Sequence, residues 1–128
     1  MKVLITYDFL YKFIFSENKD KKNLESILTE LIKKNYKIYI SAYSLDELYR
    51  FCDIEVIETL SVQFEILAEE ILPFTNTVLK LFKKFEMSEV EFHVERATAV
   101  VYGLDKLLTE KGLTSLISFQ TKRNHDRA

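Results

Sequence analysis

Three carboxylates stand near points where short apolar runs give way to helical patterns. They are Asp8 after Val3-Leu4-Ile5, Glu47 after Ile38-Tyr39-Ile40, and Glu91 just ahead of Val94 and Ala97. Carboxylates beyond the carboxyl ends of parallel strands stand where such sheets bind their ligands. Each of the three also has a purely structural reading. Asp8 is placed to N-cap a helix by accepting from free backbone amides. Ser44 to Glu47 and Ser88 to Glu91 each show the S-x-x-E spacing of a capping box, which accounts for both glutamates without a metal. His93 and His125 stand at no ligand spacing and read as surface residues. Cys52 is the only cysteine, so it makes no internal disulfide. It reads as a small apolar residue at a helix end, in a protein of a reducing compartment.

The elements that must position these groups are legible as hydrophobic patterns. Val3 to Ile5 is a short continuous apolar run that suits a buried parallel strand, and Ile38 to Ile40 is a second. Ile71-Leu72-Pro73-Phe74 reads as a third, with Pro73 confining it to an edge or a strand end. Leu107 and Leu108 make a fourth. Between them, helical spacing is carried first by Phe9, Leu10, Phe13 and Ile14. A charged connection from Glu17 to Lys22 follows. Leu24, Ile27, Leu28, Leu31 and Ile32 form the clearest amphipathic stripe. Further helices are expected after Ser44, from Ile54 to Glu70, after a Thr75 cap, and after Ser88, the last ending at Gly103 in a left-handed turn. Phe92 falls on the polar side of that last helix, where it can pack on a partner or fill a cleft. Thr98 and Thr109 have hydroxyls suited to backbone acceptors.

Strands that alternate with helices imply a mainly parallel sheet covered on both faces. Ligands then bind beyond the carboxyl ends of the strands, which directs attention to Thr6 to Asp8, Ser41 to Glu47, Glu89 to Phe92 and Thr109 to Lys111. The expectation is a single domain over residues 1–120 and a polar tail over 121–128, with the chain fraying after Gly112.

The chain's 128 residues and 48% hydrophobic share suit one core. A formal charge of -2 gives no bulk attraction to nucleic acid or a membrane. Binding to RNA would need a local basic patch, for which Lys33-Lys34, Lys83-Lys84 and Lys122-Arg123 are the candidates; solvated helix faces explain them as well. Asp8 and Lys12 interrupt the first apolar run, so no signal peptide is read there, and no apolar stretch approaches bilayer length. The expected location is the cytoplasm, with no membrane partner.

Four stretches, in order, resemble the PIN-domain family. They are Met1 to Ile5 with its polar turn; Ile40-Ser41 followed by Glu47-Leu48-Tyr49; Ile71 to Thr75; and Ala97-Thr98-Ala99 with Gly103-Leu104-Asp105 and Leu107-Leu108-Thr109. The resemblance covers residues 1–111. It implies a PIN-like three-layer α/β/α fold with a mainly parallel central sheet of about four to five strands. It implies Mg- or Mn-dependent cleavage of single-stranded RNA, as in VapC-type toxins, together with an antitoxin-like protein partner and a possible homodimer.

The family's acidic positions fall on Thr6, Glu47, Phe92 and Lys111, so only Glu47 keeps its carboxylate. The expectation is therefore a catalytically degenerate relative that needs no cofactor and acts by binding RNA or a protein. The alternative is an active ribonuclease with Glu47 and Asp8 as catalytic residues, and Asp8, Glu47 and Glu91 as ligands of Mg or Mn.

Overall fold

The computed structural model describes residues 1–116. Lys122, Arg123, His125 and the expected tail over 121–128 lie outside the described residues. The apolar run at the start forms β1 (Lys2–Ile5), in which Val3, Leu4 and Ile5 are completely buried. Parallel partners flank it, β2 (Lys37–Ser41) on one side and β4 (Lys106–Thr109) on the other. Burial on both faces explains why these strands read as continuous apolar runs rather than as alternations. β3 (Glu70–Leu72) extends the sheet beyond β2 in parallel, and β5 (Gly112–Ser115) closes the other side, giving the order β3-β2-β1-β4-β5. Pro73 follows the edge strand β3 directly, where its missing N–H costs no ladder bond.

β5 corrects the expected fold class. It runs antiparallel to β4, so the five-stranded sheet, expected to be mainly parallel, is a mixed one with three parallel pairings and one antiparallel pairing. The reversal is local chemistry. Thr109 Oγ1 accepts from the Lys111 amide at 3.1 Å and lies 3.1 Å from the Gly112 carbonyl, and Gly112 takes a φ of +116°. The segment from Gly112 onward, expected to fray, thus begins with a paired strand.

The helices are α1 (Tyr7–Phe15), α2 (Asn18–Lys33), α3 (Ala42–Tyr49), α4 (Ile54–Leu67), α5 (Asn76–Met87) and α6 (His93–Val101). Alternate strand residues point to opposite faces. Val3, Ile5, Ile38, Ile40 and Leu108 meet the first four helices, through Phe9, Leu28, Leu48 and Phe64 among others. Leu4, Tyr39 and Leu107 meet Ala99 of α6 and Leu104 just after it. α5 covers α6 in turn, through Val78 and Phe82 against Val94 and Ala97. A helix enclosed this way has no wide solvent face, and every residue from Val94 to Ala99 is buried. α6 ends with Gly103 at φ +69°, while the amides of Leu104 and Gly103 bond to the carbonyls of Ala99 and Val100. That is a Schellman turn of the kind the glycine foretold. Among the described residues, no helix is long and apolar enough to cross a membrane.

Several expected caps and boundaries move. Thr6, not Asp8, occupies the N-cap position of α1, and Asp8 lies in the helix's first turn. α3 starts at Ala42, because Ser41 ends β2 and its hydroxyl accepts from the Tyr43 amide at 3.1 Å. Ser44 and Glu47 therefore sit inside a helix already capped, and no Ser44–Glu47 box forms. Ser88 closes α5, and α6 is preceded by Phe92 in the left-handed region, so no Ser88–Glu91 box forms either. The expected connection from Glu17 to Lys22 is largely helix, since α2 already begins at Asn18. Thr75 does cap α5, accepting from the Val78 amide at 3.3 Å.

Candidate functional site

The strand ends of β1, β2 and β4 open onto a cleft with two adjoining lobes. The smaller, of about 340 Å³, is lined by Tyr7, Asp8, Tyr43, Ser44, Glu47, Phe92, His93, Val94 and Glu95. The wider, of about 630 Å³, shares Asp8, Phe92 and His93 and adds Glu86, Glu89, Glu91, Glu110 and Lys111 among its walls. The position follows from the topology, because parallel strands leave their carboxyl ends uncovered where the following helices splay apart.

Asp8 is held from several sides. The Thr6 hydroxyl contacts its carboxylate, the Phe9 amide donates to it at 2.8 Å, and the Glu110 amide reaches it at 3.4 Å. Thr6 Oγ1 is also 3.0 Å from the Leu108 carbonyl, so Thr6 ties the start of α1 to the end of β4. Glu47 is partly exposed, and its carboxylate lies 3.9 Å from the Arg50 guanidinium. Burial pushes the phenols of Tyr7 and Tyr43 above their usual pKa, and the Glu47 charge adds to both effects.

Glu95, which drew no attention in the sequence, is the most deeply placed acid of the cleft. It is 8% exposed, and its carboxylate accepts from the Tyr7 amide at 3.3 Å. Burial raises its pKa, and the nearby Asp8 charge adds to the rise. The Tyr7 amide, its own backbone amide and His93 oppose it. Beside it the hydroxyl of Ser44, 1% exposed, has no hydrogen-bond partner among the described residues.

The signal that could have revealed Glu95 is the run Ala97-Thr98-Ala99, whose small side chains allow close packing on both sides of α6. Thr98 bonds back to the Val94 carbonyl at 2.9 Å. Arg96, also buried, donates from Nε to the Glu91 carbonyl at 2.8 Å and so fixes the loop before α6. His93 is not a simple surface residue. Its ring stacks on Phe82 with centroids 5.1 Å apart, and Nε2 is 3.8 Å from Glu86.

Asp8 lines both lobes, Glu47 the smaller one and Glu91 the wider one. Phe92 stands between the lobes, with its backbone at φ +53°. Lys111 is exposed at the far wall. Among the described residues, no three His, Cys, Asp or Glu side chains are grouped to hold a metal ion. Glu47 and Glu91 line different lobes, and Asp8, common to both, is engaged by a hydroxyl and two amides.

No family model matches this chain, and neither does any curated protein. Solved structures do resemble it. One is the crystal structure of VapBC2 from Rickettsia felis bound to a DNA fragment from their promoter. It matches at a TM-score of 0.56 and 18% identity, over 85% of this chain and 86% of that chain. Another is FitAcB from Neisseria gonorrhoeae, with a TM-score of 0.51 and 19% identity over 82% and 84% of the two chains. At such identities the likeness carries the fold alone. These findings correct the PIN-family assignment and the PIN-like fold class. The expected family model is not matched, the structural likeness is to chains of the VapBC2 and FitAcB structures, and the sheet is mixed.

Proposed function

We propose that this chain acts by binding a second protein, as one member of a complex of the toxin–antitoxin type, and that it does not cut RNA. The observation that carries this reading is an exposed aromatic ridge beside the cleft. Tyr11 and Phe15 of α1 and Phe51 after α3 are 41%, 43% and 61% exposed. Their rings nonetheless pack together, Tyr11 on Phe15 at 4.9 Å between centroids and Phe51 edge-on to Tyr11 at 5.6 Å. Rigid aromatic clusters left in solvent are the usual anchors of protein interfaces. The hollow along this ridge, about 430 Å³, is lined by Tyr7, Asp8, Tyr11, Lys12 and Phe15 among others, so it runs into the cleft.

Two further points support the reading. The solved structures of similar fold, VapBC2 and FitAcB, are associated with toxin–antitoxin systems. The cleft's charge is wrong for RNA: Asp8, Glu47, Glu86, Glu89, Glu91 and Glu110 face it, against Lys111 and His93. A phosphate backbone would be repelled there.

The test is cross-linking from the ridge in extracts of the source cells, comparing the unmodified chain with a Phe15→Ala/Phe51→Ala double variant. A discrete foreign protein captured by the first and lost by the second supports the proposal. Capture that is indifferent to the ridge, or capture of RNA alone, defeats it. If the captured species is a second copy of this chain, the partner is a homodimer mate and the antitoxin-like part of the reading falls.

A further inference from the structure

Glu95 and Ser44 are buried polar groups in the wall of an aromatic-sided cleft. The Ser44 hydroxyl has no hydrogen-bond partner among the described residues. The Glu95 carboxyl accepts from the Tyr7 amide at a long 3.3 Å and from its own backbone amide. Such groups are costly to leave in place and mark somewhere a ligand's polar atoms would be welcome. Around them the smaller lobe offers the rings of Tyr7, Tyr43 and Phe92. Beyond Phe92 and His93 the wider lobe carries Glu86, Glu89, Glu91 and Glu110.

We propose that the two lobes together bind a linear aliphatic polyamine. The chemistry is a match of shape and charge spacing. One terminal ammonium sits in the smaller lobe, donating to the Ser44 hydroxyl and to the Glu95 and Glu47 carboxylates. The methylene chain lies along the aromatic walls, where an ammonium also gains from the ring faces. Inner ammonium groups meet Asp8 at the junction, and the distal end meets the glutamates of the wider lobe. The smaller lobe, at about 340 Å³, is of the size that holds small ligands. A bare divalent cation suits the cleft poorly, because its carboxylates are spread along a groove rather than converged on a point. The proposal stands apart from the protein-partner reading, which rests on the ridge.

The experiment is calorimetric titration of the whole chain with spermidine at physiological salt, with MgCl₂ at matched ionic strength as the control, on the unmodified protein, Ser44→Ala and Glu95→Gln. Saturable binding that MgCl₂ does not reproduce is expected, weakened by about tenfold in each variant, the loss of one charge-assisted contact. Thermal melting of the same samples guards against misfolding. Ser44→Ala should melt no lower than the parent while binding more weakly, a divergence that a purely structural serine would not produce. Absence of saturable binding, equal binding of MgCl₂, or spermidine affinity untouched by both substitutions overturns the proposal.

Discussion

Ser41 and Ser44 are both 1% exposed and lie three positions apart, yet they predict opposite responses to the same substitution. The Ser41 hydroxyl accepts from the Tyr43 amide at 3.1 Å and caps α3. The Ser44 hydroxyl has no partner among the described residues. A buried hydroxyl left unsatisfied costs about 1–3 kcal/mol. Removing it as Ser44→Ala recovers the lower part of that range, and alanine's better helix propensity inside α3 adds about 0.5 kcal/mol. The expected gain is about 1.5 kcal/mol, which raises Tm by about 5 °C for a domain of this size. Ser41→Ala removes a cap that is made, and should cost about 1 kcal/mol. Urea unfolding followed by circular dichroism reads both, with unchanged m values confirming that only stability moved. A loss of stability in Ser44→Ala comparable to that in Ser41→Ala would refute the reasoning, since it would mean that the Ser44 hydroxyl is bonded in solution.

Glu95→Gln keeps an acceptor for the Tyr7 amide and removes the ionisable group. Because burial raises the pKa of Glu95, its contribution to stability is fully present below the unfolded value and is lost as pH rises through the folded one. The variant should therefore be more stable than its parent at about pH 8, with the difference closing toward about pH 4, near the ordinary carboxylate range; a pH series of thermal melts in which the gap stays constant would show that the charge is not the cause. Gly103→Ala places a Cβ in open space, with nothing within 4 Å, but forces alanine into φ +69°. The cost is the backbone term alone, about 1 kcal/mol by urea titration, and a near-zero cost would mean that the α6 turn relaxes.

Strands with two buried faces were plain in the sequence because every residue had to be apolar, as at Val3 to Ile5, Ile38 to Ile40 and Leu107 to Leu108. β5 was not, since Leu113 is its only large apolar residue and Thr114 and Ser115 look like any polar tail. The capping boxes misled for a physical reason. S-x-x-E spacing also occurs one turn inside a helix, and at α3 a better-placed hydroxyl, that of Ser41, had already taken the cap. Asp8 and Glu47 line one cleft, because strand ends fix where the chain emerges. Glu95 was missed because Glu95-Arg96 reads as a solvent-facing charged pair. It is buried beside Tyr7 of α1 and Ser44 of α3, elements far from it in the chain, and only the small residues of Ala97-Thr98-Ala99 hint at so close a packing.

The central claim is association without RNA cleavage, and incubation of the purified chain with single-stranded RNA in Mn²⁺ tests it most directly, with EDTA and Glu47→Gln as controls. No cleavage above the EDTA background is predicted, from a protein and a variant that are equally well folded. Mn²⁺-dependent cleavage that disappears with EDTA and in Glu47→Gln would contradict the claim, and would mean that Asp8, Glu47 and their neighbours assemble a working metal site once the ion is present.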